Sequence, residues 1–135
     1  AVLRRYWQPA ALVDEVQGDK PVVPVNLLGE RLVLLRNEAG DFVLTARVAY
    51  ADEVPAHYPD PGTIEVVDGG PSYPVVEKKG IMFAYMGPGE APEFPNFDCV
   101  RAPDSHVFAF KGLWECNWLQ ALEVGIDPAH ASFLH

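Results

Sequence analysis

The apolar residues of the first hundred positions come in short runs, with glycine or proline between most of them. The chain has 13 prolines and 11 glycines in 135 residues, which works against long helices. Proline lacks the N–H that a helix interior requires and clashes with the carbonyl four residues earlier. Short strands joined by tight turns tolerate this punctuation, so the pattern points to an antiparallel sandwich or barrel.

The runs can be placed individually. Val22 to Leu28 reads as a strand ending in the turn Gly29-Glu30, and Arg31 to Arg36 as a buried strand with polar ends. Residues 37–40 (Asn-Glu-Ala-Gly) supply a hairpin turn into Asp41 to Val48, where Phe42, Leu44 and Ala46 share one face and Thr45 and Arg47 the other. Ser72 to Val76 and Ile81 to Met86 form a second hairpin around Lys78-Lys79-Gly80. Two proline-rich segments interrupt the rhythm. In residues 49–71 only Thr63 to Val67 reads as a strand, and residues 87–104 read as a linker or surface loop.

Charge narrows the classes of partner. A formal net charge of −9 with dispersed basic residues argues against nucleic acid, whose phosphates demand clustered Lys and Arg. No stretch approaches the ~18 apolar residues of a membrane span. Trp7-Gln8-Pro9 interrupts any signal-peptide core, so a cytoplasmic location is expected. Cys99 and Cys116 lack C-x-x-C spacing and are expected to be reduced and largely buried, although a disulfide between them stays open.

The character changes at Ser105. Ser105 to Lys111 reads as one more strand, and Trp114 is expected to open a helix. On a wheel of 100° per residue, Trp114, Trp118, Leu119, Leu122, Ile126 and Phe133 fall on a core-facing stripe that also takes in Ala121 and Ala129. Asn117, Gln120, Glu123, Asp127, His130 and His135 share the other side. Gly125 and Pro128 predict a kink or break over residues 124–128.

That polar side carries the one pattern with chemistry in it, E-x3-D-x2-H-x4-H over Glu123, Asp127, His130 and His135. Two histidines and a carboxylate can hold Fe(II) on one face and leave positions open for O₂ and substrate. Residues five apart on a straight helix point about 140° away from each other, so a shared metal requires a bent or loosened segment. The plain alternative is a solvated helix face on which Asp127-Pro128 forms an N-cap and first-turn pair.

The words around this pattern extend it. F-K-G-L-W-E-C-N-W-L-Q-A-L-E-V-G-I-D-P-A-H, Tyr6-Trp7-Gln8-Pro9, L-L-G-E-R-L-V-L-L-R and S-Y-P-V-V-E-K-K-G-I-M-F-A-Y-M-G together resemble the oxygenase component of Rieske-type non-haem iron aromatic-ring-hydroxylating oxygenases, phthalate-dioxygenase branch. The resemblance covers residues 1–47 and 72–135. It implies a mainly β fold, with an antiparallel Rieske-like domain over residues 1–104 leading into the first strand and helix of an α+β catalytic domain over residues 105–135. It also implies His130 and His135 as ligands of a mononuclear Fe(II), and Asp127 as the bridge passing electrons from a neighbouring subunit's Rieske cluster. Glu123, Asn117 and Gln120 are structural or solvated, and Trp114 and Trp118 belong to the core. The parent protein would be a trimer or other homo-oligomer. It would take electrons from NAD(P)H through a reductase and use O₂ to hydroxylate or demethylate an aromatic or related organic substrate.

The resemblance fails at two places. A Rieske [2Fe–2S] centre needs two Cys and two His. In the family the pairs read C-x-H and C-x2-H between the third strand and S-Y-P-V-V, yet residues 48–71 hold no cysteine and only His57, expected to be a loop residue. Neither Cys99, Cys116 nor His106 rebuilds the motif. The third iron ligand also comes, in the family, from beyond the second histidine. Three origins are open: omitted residues, which would break the 3.80 Å spacing of consecutive α-carbons within 48–71, a natural shortened relative, or deliberate shortening. Alone, the chain is expected to be inactive. The competing reading is a non-catalytic β-fold binding or interaction domain with an incidental histidine pair.

Overall fold

The computed structural model describes residues 2–17, 22–37, 39–48, 65–66 and 70–134. Two antiparallel sheets form the body. The first follows the order β1 (Gln8–Leu12), β8 (Ile81–Ala84), β7 (Val75–Lys78). The second runs β2 (Val22–Leu27), β3 (Glu30–Arg36), β4 (Phe42–Val48), β5 (Glu65–Val66), with β6 (Ser72–Tyr73) also paired to β4. Short α1 (Val13–Val16) follows β1, and α2 (Asp98–Arg101), α3 (Trp118–Ile126) and α4 (Pro128–Leu134) lie beyond the sheets.

The β2–β3–β4 meander follows the expected hairpins. Leu28 and Gly29 turn the first with positive φ values of 49° and 84°. At the second, the N–H of Gly40 donates to the carbonyl of Asn37 at 2.9 Å, and Gly40 takes φ 89°. Val23, Leu34 and Leu44 lie abreast across the three strands. With Val25, Leu32, Met82 and Ala84 they form an aliphatic core. Burial on both faces of β3 explains its unbroken run Leu32-Val33-Leu34, since alternation is needed only where one face meets water. Thr45, on the face of β4 opposite Leu44, is buried as well, and its hydroxyl donates to the Pro71 carbonyl at 3.2 Å.

Four expectations need correction. The segment expected as one strand over 72–76 splits at Pro74, which has no N–H for a ladder: β6 joins β4, whereas β7 joins β8. Gln8–Leu12, read without a strand in the sequence, pairs with β8 as an edge strand, with a register shift between Pro9 and Ala11. Proline survives at an edge because its missing donor faces no partner. Ser105 to Lys111 is not a strand: a 3₁₀ turn spans Asp104–His106, and Val107 to Lys111 is irregular. It pairs with no strand among the described residues, and Phe108 and Phe110 are 85% and 77% exposed. Finally, both cysteines are exposed rather than buried, and they are not bonded to each other.

The 87–104 linker is anchored. Phe94 sits edge-on to Phe83 with centroids 4.9 Å apart and meets Trp7 at 5.8 Å. The Trp7 indole N–H donates to the carbonyl of Pro92 at 3.0 Å. Of Thr63 to Val67 only β5 is described. His57 and the α-carbon spacing across most of 48–71 lie outside the described residues.

Candidate functional site

The helix expected from Trp114 begins at Trp118 instead, because Asn117 caps it. The Asn117 side chain accepts the N–H of Leu119 at 2.9 Å, and the Gln120 side chain accepts the N–H of Asn117 at 3.2 Å. This reciprocal box satisfies donors that have no helical partner, which accounts for both polar residues without invoking a metal. α3 ends at Ile126, and Asp127 takes an extended conformation (φ −76°, ψ 105°) ahead of Pro128. The break therefore falls inside the window read from Gly125 and Pro128.

Asp127 is the hinge residue of this arrangement. Its Oδ1 accepts the N–H of Ala129 at 2.9 Å, so it caps α4. His130 follows in the first turn of α4 and is half-buried, whereas Asp127 and Glu123 are exposed. α4 continues as helix to Leu134, so the break lies upstream of His130 and the described stretch after it, from His130 to Leu134, carries none of the loosening a shared metal requires. His135 lies outside the described residues. Among the described residues, no group of three or more His, Cys, Asp or Glu side chains is placed to hold a metal ion.

The apolar side of this region is also a correction. Trp114 and Trp118, expected in the core, are 65% and 73% exposed, and Ile126 and Phe133 are more than half exposed. The wheel sorts the residues onto a stripe, but the β-domain does not cover that stripe. A groove of about 620 Å³ between the β7–β8 turn and residues 100–109 is bordered by Leu12, Glu77, Lys79, Asp104 and Phe108 and includes neither Asp127 nor His130. Lys79 pairs with Asp104 at its rim at 2.5 Å, and that hydrogen bond holds the Asp104 carboxyl below its usual value.

The sequence reading also missed a polar clasp that ties the N-terminal turn to the second sheet. The Tyr73 hydroxyl donates to Glu30 Oε2 at 2.6 Å, and the Arg4 guanidinium pairs with the other carboxylate oxygen. Burial is the largest single influence on Tyr73 and raises its pKa, as does its bond to Glu30. The clasp joins the N-terminal turn, the start of β3 and β6, and no sequence spacing announces it.

No protein-family model matches the sequence. Comparison with curated proteins does find relatives. The chain is 34% identical over 165 positions to the tert-butanol monooxygenase / tert-amyl alcohol desaturase oxygenase subunit of Aquincola tertiaricarbonis, covering 98% of this chain and 34% of that protein. It is 31% identical over 173 positions to the phthalate 4,5-dioxygenase oxygenase subunit of Pseudomonas putida (99% and 38%). It is 28% identical over 168 positions to the 5,5'-dehydrodivanillate O-demethylase oxygenase subunit of a Sphingobium species (99% and 39%). The chain is thus similar to the oxygenase subunits of a monooxygenase, a dioxygenase and an O-demethylase. It spans 34–39% of the length of these three relatives.

The matched spans also differ in length. Ninety-eight per cent of 135 residues is about 132, and the first match runs over 165 positions, so about 33 are filled by the relative alone. The same comparison leaves about 34 for the demethylase subunit and about 39 for the phthalate enzyme.

Proposed function

We propose that the chain corresponds to the β-domain and the opening of the iron-binding region of an oxygenase component. The whole protein uses O₂ to hydroxylate or demethylate an aromatic or related organic substrate. Its electrons come from NAD(P)H through a separate reductase, and it assembles as a trimer or other homo-oligomer. Residues 1–104 form the β-domain, and residues 105–135 open the catalytic domain. His130 and His135 are the proposed iron ligands, and Asp127 stands where the resemblance places the bridge to a neighbouring subunit's Rieske cluster. When bound, Fe(II) supplies redox activation of O₂, while the protein fixes its open positions and excludes water. The observation that carries this reading is the match to oxygenase subunits over 98–99% of the chain.

Anaerobic Fe(II) titration of the purified chain tests the proposal. Two imidazoles without a third protein ligand should bind one Fe(II) weakly, and His130→Ala and His135→Ala should each abolish that binding with unchanged circular dichroism. Binding that is absent, or indifferent to both substitutions, refutes the ligand assignment. It then favours the second reading, a non-catalytic binding or interaction domain, for which the cluster-poor donor set speaks.

A further inference from the structure

We infer that this chain does not assemble a [2Fe–2S] cluster and that its β-domain closes as a cluster-free fold; the inference rests on the relationship to Rieske oxygenase subunits proposed above. The donor set is the first ground. A Rieske centre takes two cysteine thiolates and two histidine imidazoles, and the whole sequence contains two cysteines and four histidines. Cys99 lies on α2, and Cys116 stands just before the cap of α3. Both are exposed and lie beyond the last strand, so neither sits on a loop joining strands of the two sheets. His106 follows in the 3₁₀ turn, its Nδ1 3.0 Å from the Ser105 hydroxyl, and His130 lies on α4.

The second ground is how the sheet is held around the interval where cluster loops would emerge. On its near side, β4 pairs with β5 through Arg47↔Val66 and Val48↔Glu65. On its far side, β6 returns to β4 through Leu44↔Tyr73 and Thr45↔Ser72. The Thr45 hydroxyl and the Ala46 N–H both donate to the Pro71 carbonyl, and the Tyr73–Glu30–Arg4 clasp pins the return strand. Loops organised by a metal lose their order when the metal goes, because they bury little apolar area against their conformational entropy. Here backbone ladders and a clasp of this chain's own residues hold both ends of the interval. The described core, from Ala11 to Met86, draws on strands on either side of it.

The third ground is independent of both. The relatives fill about 33 to 39 more positions than this chain within the matched span. Shortening of that size accommodates the loss of two ligand loops.

Reconstitution tests the inference. The full chain is incubated anaerobically with Fe(II), sulfide and thiol, desalted, and assayed for iron and acid-labile sulfide. Electron paramagnetic resonance of the dithionite-reduced sample and a thermal melt complete the set, with the Pseudomonas phthalate 4,5-dioxygenase oxygenase subunit as the positive control. The expected result is no sulfide above background, no reduced-cluster signal and an unchanged Tm, while the control loads. Iron retained without sulfide sustains the inference and reports separately on the histidine pair, so failure of one reading is distinguishable from failure of the other. Equal amounts of iron and sulfide near two per chain, with a reduced-cluster signal that Cys99→Ser or Cys116→Ser removes, overturn it.

Discussion

Replacing Tyr73 by phenylalanine isolates one hydrogen bond at the seam where the β-domain closes. The ring remains, packed beside the core, and only the hydroxyl that donates to Glu30 Oε2 at 2.6 Å is removed. A hydrogen bond to a charged group contributes about 1.5–3 kcal/mol net. The Glu30 side chain is 29% exposed, so water refills part of the gap. The expected cost is therefore about 1–2 kcal/mol, a fall in Tm of about 4–8 °C for a unit of this size. The deficit carries a pH signature. Burial is the largest influence on Glu30 and acts to raise its pKa, but the bonds from Tyr73 and Arg4 and the Arg4 charge together bring it below the ordinary 4.5. A carboxyl depressed in the folded state stabilises the fold above its unfolded pKa and loses that contribution as pH falls through the folded value. The gap between wild type and Tyr73→Phe should therefore narrow as pH falls below 4.5. At the alkaline end the phenol is raised above 10.0, so its contribution holds below that value and disappears as pH rises through the folded pKa. Denaturant melts at several pH values measure this, with Glu30→Gln completing a double-mutant cycle. A Tyr73→Phe variant within ~0.3 kcal/mol of wild type at neutral pH, or a deficit undiminished in acid, would refute the reasoning.

Leu34→Ala empties a fully buried position between Val23 and Leu44 and should cost about 2–5 kcal/mol in a denaturant melt. Gly87→Ala puts a methyl 2.4 Å from the Tyr85 hydroxyl oxygen and 2.8 Å from the Arg4 carbonyl, so a loss of about 1–3 kcal/mol is expected by the same assay. Asp127→Ala removes the cap of α4 and should weaken that helix by about 0.5–2 kcal/mol, read as reduced far-ultraviolet circular dichroism with the sheet core intact. Supplied with NADH and a reductase, the chain alone should consume no O₂ in an oxygen-electrode assay, because residues 48–71 hold no cysteine to bind the cluster that would relay electrons.

The meander was legible because its signals are local. Gly29 and Gly40 sit where the backbone needs positive φ, and Leu32-Val33-Leu34 reports burial on both faces without reference to anything distant. The edge strand β1 was not legible, since its pairing with β8 spans some seventy residues of sequence and its proline argues against a strand. The division of residues 72–78 between two sheets turns on one missing N–H at Pro74, which composition alone does not reveal. The Tyr73–Glu30–Arg4 clasp draws on three separate segments, and no periodicity links them.

The candidate site divides along the same line. Gly125 and Pro128 announced the break, and Asp127 caps α4 as its position before a proline implies. What the helical wheel could not supply was the surface that covers its apolar side: it ranks residues by direction, and direction is not burial. Trp118, Leu122, Ile126 and Phe133 keep 47–86% of their surface exposed, so these side chains of the nine-residue α3 and seven-residue α4 gain little from packing. Helices of that length are marginal in water and depend on caps and tertiary contacts. The polar face carrying Asp127 and His130 is thus held by the Asn117–Gln120 box and the Asp127 cap rather than by a core. A metal site needs its ligands held by surrounding packing. The Fe(II) affinity proposed for the histidine pair is therefore expected to depend on whatever surface meets the apolar side of these helices, and the weak binding proposed for the chain alone follows from that exposure as much as from having two ligands.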